Sequence, residues 1–139
     1  MPVSTKLDQR LIGYITTFET ITRCHAKDIV LSPDGLLLFI VPAGEGGRAI
    51  WRKGMHVAKL RSLLKKSIKI VEFSEAVEEF VAHIIDPVVA DEIVVGNGVV
   101  KIMVKDGNSK GKLIGRGGKN LKLLQKLVEA YFSMRVMVA

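Results

Sequence analysis

Apolar residues in the first part of the chain return every three or four positions. Leu7, Leu11, Ile12, Ile15, Phe18 and Ile21 line one face of a helix predicted over residues 5 to about 23. The period then shortens. Asp28–Leu31 and Leu36–Val41 are brief apolar runs, separated by Ser32-Pro33-Asp34-Gly35. Proline presets a bend and glycine tolerates positive φ, so the pair predicts a hairpin. Gly44-Glu45-Gly46-Gly47 leads into a short helix reaching Trp51, and Gly54 interrupts it. Residues 56–66 predict a second helix with Val57, Leu60, Leu63 and Leu64 on one face, and residues 68–73 a strand. The order is helix, strand, strand, helix, helix, strand.

The remainder repeats that order. Ser74 is a predicted N-cap for a helix carrying Val77, Phe80, Val81, Ile84 and Ile85, which Pro87 ends. Residues 92–95 and 99–105 flank Gly96-Asn97-Gly98, and Asn-Gly is a strong hairpin turn. Asp106-Gly107-Asn108-Ser109 leads to a short helix ending near Ile114. Gly115-Arg116-Gly117-Gly118 breaks it, Lys119–Phe132 is a long helix, and residues 134–138 form a closing strand. The halves align at a shift of 64 positions. Residues 49–60 fall on residues 113–124, with Ile50 on Ile114, Arg52 on Arg116, Gly54 on Gly118 and Leu60 on Leu124. Shared order and spacing indicate an internal repeat. The predicted fold class is α+β: two tandem domains, residues 1–74 and 75–139, each a three-stranded sheet packed on helices.

Composition fits that division. Of 139 residues, 48% are hydrophobic, enough for one ordinary domain or two very small ones. No apolar run approaches the ~18 residues of a membrane span, and the start, Met1-Pro2-Val3-Ser4-Thr5-Lys6, has no secretory pattern. The one cysteine, Cys24, cannot form an internal disulfide, which fits a reducing, cytoplasmic setting. With His25 it supplies too few ligands for zinc, so no metal is expected.

Charge changes the picture more. The formal net charge is +7 and the pI about 9.7, a balance that favours polyanions. It comes in blocks. Arg48, Arg52, Lys53, Lys59, Arg61, Lys65, Lys66 and Lys69 follow one another with no acid between. Lys101, Lys105, Lys110, Lys112, Arg116, Lys119, Lys122 and Lys126 include only Asp106. Glu75, Glu78, Glu79, Asp86, Asp91 and Glu92 lie between the blocks.

The chemistry concentrates at Ile114-Gly115-Arg116-Gly117-Gly118-Lys119-Asn120. One helix ends, the chain turns on glycines, and another helix begins. Without Cβ atoms a phosphate can approach the backbone, and the next helix offers unpaired N–H groups at its positive end. Arg116 and Lys119 add charge, with Lys110, Lys112 and Lys122 nearby in sequence. Such a site fits a sugar-phosphate chain, with bases over apolar Ile114, Leu121, Ile102 and Val104. Glycines that only cap a helix and turn the chain are the competing explanation.

This segment resembles the signature of the KH family, whose GXXG loop clamps four nucleotides. The element order is similar to the type II KH topology. Two such modules with almost no linker resemble the KH pair of NusA, in particular the archaeal NusA-like transcription factors, over nearly the whole chain. The resemblance implies single-stranded RNA as partner, a role in transcription termination or antitermination, no cofactor and no catalytic residue. RNA polymerase or other transcription or translation factors are further implied partners, of a monomer. A KH-fold RNA-binding or scaffold protein of ribosome biogenesis or RNA processing is the alternative.

The first module departs from the motif, with Trp51-Arg52-Lys53-Gly54 where GXXG is expected. It is either a scaffold or a weaker RNA contact, in which Arg48, Arg52 and Lys53 hold phosphate beside Gly54 while Trp51 stacks on a base. An enzyme is not expected. Gly44-Glu45-Gly46-Gly47-Arg48-Ala49, with Glu72 further on, imitates a dinucleotide fingerprint. However, a hairpin precedes it, and Pro42 and Ala43 separate the strand from the first glycine. His25, His56 and His83 are scattered, with no nucleophile to pair.

Overall fold

A computed structural model of the chain describes residues 9–32, 34–51 and 54–139. The sequence positions 5–8, Pro33, Arg52 and Lys53 lie outside the described residues. The chain divides into two compact units, one ending at Phe73 and one running from Ser74 to Ala139. The first holds α1 (Gln9–Thr22), β1 (Asp28–Leu31), β2 (Leu36–Val41), α2 (Gly46–Ile50), α3 (Met55–Leu64) and β3 (Ser67–Glu72). The second holds α4 (Val77–Ile85), β4 (Glu92–Gly96), β5 (Val99–Met103), α5 (Gly107–Ile114), a 3₁₀ turn (Arg116–Gly118), α6 (Lys119–Phe132) and β6 (Arg135–Val138). Both are α+β, with a three-stranded sheet packed on helices.

The two sheets share one wiring. β2 is central, antiparallel to β1 with Asp28 opposite Ile40, and parallel to β3 with Leu36 opposite Ser67. β5 is central in the same way, antiparallel to β4 with Glu92 opposite Met103 and parallel to β6 with Val99 opposite Arg135. A parallel pair cannot be closed by a hairpin turn. Each unit therefore spends a helix–turn–helix on the crossover, and that crossover carries the glycine-bearing loop.

The first core is built on β2. Leu37, Phe39 and Val41 join Phe18, Ile29, Ala49 and Leu60 in one buried cluster, and the Phe18 and Phe39 rings stack at 4.2 Å. Leu38 and Ile40, on the opposite face, are buried too, so β2 shows an unbroken apolar run rather than alternation. Two predicted core positions turn out exposed. Ile12 is 43% exposed, because it stands about 120° around α1 from Phe18. Leu63 is 55% exposed, outside the stripe that Val57, Leu60 and Leu64 direct inward. Cys24 is core. Burial, then the charge of Glu45, pushes its thiol pKa up, so the sulfur acts as a small apolar filler.

In the second unit, α4 buries Val77, Phe80, Val81 and Ile84, and α6 buries Leu124, Leu127 and Val128. The Phe80 ring lies 5.8 Å from both Tyr131 and Phe132. Ser74 is not the N-cap of α4. The helix begins two residues later than a Ser74 cap requires, with Ala76 at the boundary, and the Ser74 hydroxyl accepts the Ala76 N–H at 3.1 Å in a local turn. Among the described residues, no helix is long and apolar enough to cross a membrane, and no three His, Cys, Asp or Glu side chains gather as a metal site.

Candidate nucleic-acid interface

The glycine loop is set by the helices that flank it. Asp106 caps α5, its Oδ2 accepting from the Ser109 N–H at 2.9 Å and the Ser109 hydroxyl at 2.7 Å. Those bonds favour the charged carboxylate, the hydroxyl bond most, and hold its pKa below the ordinary value. The sign follows. A depressed folded pKa adds stability above the unfolded pKa, and this is lost as pH falls through the folded one. Ser109→Ala should move the Asp106 pKa up toward the usual value of about 3.9. A carboxyl-carbon NMR titration reads that shift.

α5 ends at Ile114, and the Gly115 N–H donates to the Gly111 carbonyl at 2.8 Å. Gly115 then takes φ 79°, ψ 166°, a region nearly closed to other residues. Gly117 (φ 65°) and Gly118 (φ 76°) continue in left-handed conformation. The Gly118 N–H donates to the Gly115 carbonyl at 3.0 Å, and the Lys119 N–H to the Arg116 carbonyl. Among the described residues, the N–H groups of Arg116 and Gly117 have no hydrogen-bond acceptor.

The three glycines are not equivalent. A Cβ on Gly117 or Gly118 would meet open space, so those two leave the backbone accessible from outside. A Cβ on Gly115 would meet the Asn120 amide, with Nδ2 2.7 Å away. That amide braces the loop, donating from Nδ2 to the Lys112 carbonyl at 2.9 Å and so tying the end of α5 to the start of α6.

Arg116, Gly117, Lys119 and Asn120 are exposed, as are Lys112 and Lys122. Gly118, Ile114, Leu121 and Lys110 are half-buried. From Gly107 to Val128 there are six basic residues and no acid, so the field here is positive. Two predicted base contacts are excluded. Ile102 and Val104 are 0% and 3% exposed. Ile102 faces the core from β5, Val104 is buried just beyond its end, and no base can reach them.

The first unit repeats three bonds of this frame at the 64-residue shift, and differs at the fourth, where the Met55 N–H donates to the Trp51 carbonyl at 3.1 Å. Trp51 N–H donates to the Gly47 carbonyl at 2.9 Å, as Gly115 does to Gly111. Gly54 N–H donates to the Trp51 carbonyl at 2.8 Å, as Gly118 does to Gly115. His56 Nδ1 lies 3.0 Å from the Arg48 carbonyl, where Asn120 bonds that of Lys112. Gly54 has φ 78°, ψ 24°, beside 76°, 17° at Gly118. Trp51 adopts φ 56°, ψ 141° despite its side chain. Arg48 is exposed and Trp51 is 40% exposed. His56 was absent from the predicted site residues. Its place opposite Asn120 in the aligned halves is the signal that marks it.

At the other candidate loop, the Gly46 N–H at the start of α2 donates to Glu72 Oε1 at 2.9 Å, and a Cβ on Gly46 would strike that carboxylate. An acid therefore stands where a dinucleotide fingerprint would receive pyrophosphate.

No family model matches the chain. It is 32% identical over 133 residues to the probable transcription termination protein NusA of Thermoplasma acidophilum, covering 92% of this chain and 90% of that one. The protein of the same name from Halobacterium salinarum is 30% identical over 122 residues, with 86% and 87% covered. The crystal structure of APE1850 superposes with a TM-score of 0.72 at 32% identity, over 96% of this chain and all of that one. Identity and coverage at this level place the chain in a family: it belongs to the archaeal NusA-like transcription termination proteins.

Proposed function

We propose that the two units are tandem type II KH domains and that the second binds single-stranded RNA, acting in transcription termination or antitermination. The observation that carries this is the loop at residues 115–118. It holds two open glycines, two backbone N–H groups without acceptors, and exposed Arg116, on the sole strongly basic segment of the second unit. An extended phosphodiester meets each of these needs. It is anionic, thin enough to reach the backbone, and repeats its charge toward Lys112 and Lys122. Bases then lie toward Ile114 and Leu121, whose side chains are partly exposed. Names of the relatives support the pathway, and RNA with the transcription machinery are the partners that fit it. Binding without catalysis is the reading, favoured by the carboxylate of Glu72 at the Gly46 start of α2.

Titrating single-stranded RNA, duplex DNA and NAD separately tests this. RNA should bind best. NAD binding without RNA binding would reverse the proposal. Affinity should also fall with salt as counterions are released. Arg116→Ala should lower the slope of log K against log salt by about 0.7, the value for one phosphate contact on a single strand.

A further inference from the structure

The first unit keeps the hydrogen-bond frame of the glycine loop but puts the bulkiest side chain at its first position. We propose that this unit is a second single-stranded RNA contact of different chemistry, in which Trp51, backed by His56, stacks on a base. The inference rests on the RNA-binding reading above and extends it to a site without the glycine motif.

Three observations converge. First, Trp51 is held where its backbone is strained. A non-glycine residue at φ 56°, ψ 141° is disfavoured, and such outliers concentrate at ligand clamps and active sites. Glycine would relieve the strain, so the indole occupies this position at a local cost. Second, the indole is 40% exposed and not folded into the first unit's core cluster. Third, it has an aromatic neighbour that helps to orient it. The His56 ring lies nearly parallel to it, 19° between planes and 5.9 Å between centroids. His56 is fixed in turn by Nδ1, 3.0 Å from both the Arg48 and Ala49 carbonyls. Both of those atoms are acceptors, so Nδ1 carries a proton and the ring orientation is set. The result is an oriented aromatic plane in a unit whose exposed cations include Arg48, three residues before it in sequence, and Lys59 and Arg61 of α3.

A single-stranded chain suits this arrangement better than a duplex, because only unstacked bases offer a free π-face. Stacking also tolerates any base, so this contact adds affinity without adding sequence preference. The unit thus replaces amide–phosphate contact, which a Trp51 side chain crowds, by stacking.

The chain supplies its own probe, since Trp51 is the one tryptophan. A fluorescein-labelled single-stranded RNA of about 20 nucleotides is titrated against the full chain, a length exceeding the roughly four nucleotides of a single KH clamp. Anisotropy reads binding, and tryptophan emission with unlabelled RNA reads stacking. Emission should be quenched along the same isotherm. Trp51→Ala should weaken binding about 5- to 100-fold, the range for loss of one stacked base. Trp51→Phe should recover most of it, and Trp51→Gly should weaken binding like alanine, although it completes a glycine pair with Gly54. RNA binding with unquenched emission, or Trp51→Ala and Trp51→Gly binding as tightly as the parent, would overturn the stacking site and leave the second unit's role standing. No binding by anisotropy would remove both. Circular dichroism of each variant keeps misfolding separate from these outcomes.

Discussion

Arg116→Asp combined with Gly117→Asp should weaken RNA binding about a hundredfold while the protein stays folded. The pair replaces one cation by two acids at the point where the backbone is most open. A phosphate 4–6 Å away would exchange an attraction for two repulsions, each worth about 0.5–1 kcal/mol at an exposed site. Side chains now shield the N–H groups of residues 116 and 117 as well. Together these amount to about 3 kcal/mol, on the order of a hundredfold in affinity. Folding should survive, because Arg116 is exposed and a Cβ on Gly117 meets open space. Aspartate is also among the residues that tolerate left-handed backbone best. A control keeps bulk charge out of the comparison. Gln9→Glu with Arg10→Glu, both exposed on α1, gives the same net charge of +4. The control should bind within severalfold of the parent. If the loop variant bound as well as the control, the loop would have no part in RNA recognition.

The fold was readable because its turns are chemically explicit. Asn97-Gly98 places the second hairpin, and both residues take the positive φ that this dipeptide favours. The apolar run at β2 and the alternation at β4 differ because β2 is buried on both faces, whereas β4 exposes every second residue. The two helix–glycine–helix crossovers were visible as a 64-residue repeat, which the paired hydrogen bonds at residues 47–56 and 111–120 reproduce.

What failed was local direction. The alternation along residues 99–105, in β5 and just past its end, already held the answer for Ile102 and Val104. Exposed Lys101 and Lys105 fix the outward side, so the even-numbered residues face inward. Ser74 matched the preference for a cap, but its hydroxyl is taken by a turn before the helix starts. Backbone strain at Trp51 was not readable at all. Sequence gives no φ, and a tryptophan at a glycine position looks like a lost motif until the hydrogen-bond frame around it is seen to persist.

That persistence sharpens a stability contrast between the two loops. Gly115→Ala should destabilise the second unit by about 2–4 kcal/mol, seen as a lower urea midpoint. Alanine at φ 79°, ψ 166° carries a conformational cost of about 1–3 kcal/mol. Its Cβ would also press on Asn120, 2.8 Å from Cγ and 3.0 Å from the backbone nitrogen. Relief requires Asn120 to leave the Lys112 carbonyl, which forfeits about 1 kcal/mol of hydrogen bonding. Trp51 shows how the same position tolerates a side chain: its neighbour at the Asn120 position is His56, whose ring lies alongside the indole while still reaching the carbonyl of Arg48. Transplanting that neighbour should therefore help. Gly115→Ala with Asn120→His is expected to recover about 1 kcal/mol of the loss, a coupling that a double-mutant cycle isolates because the two residues touch. A cost below about 1 kcal/mol for Gly115→Ala alone would mean that the first glycine is not what closes the loop, and that the strain assigned to Trp51 is overstated by the same reasoning.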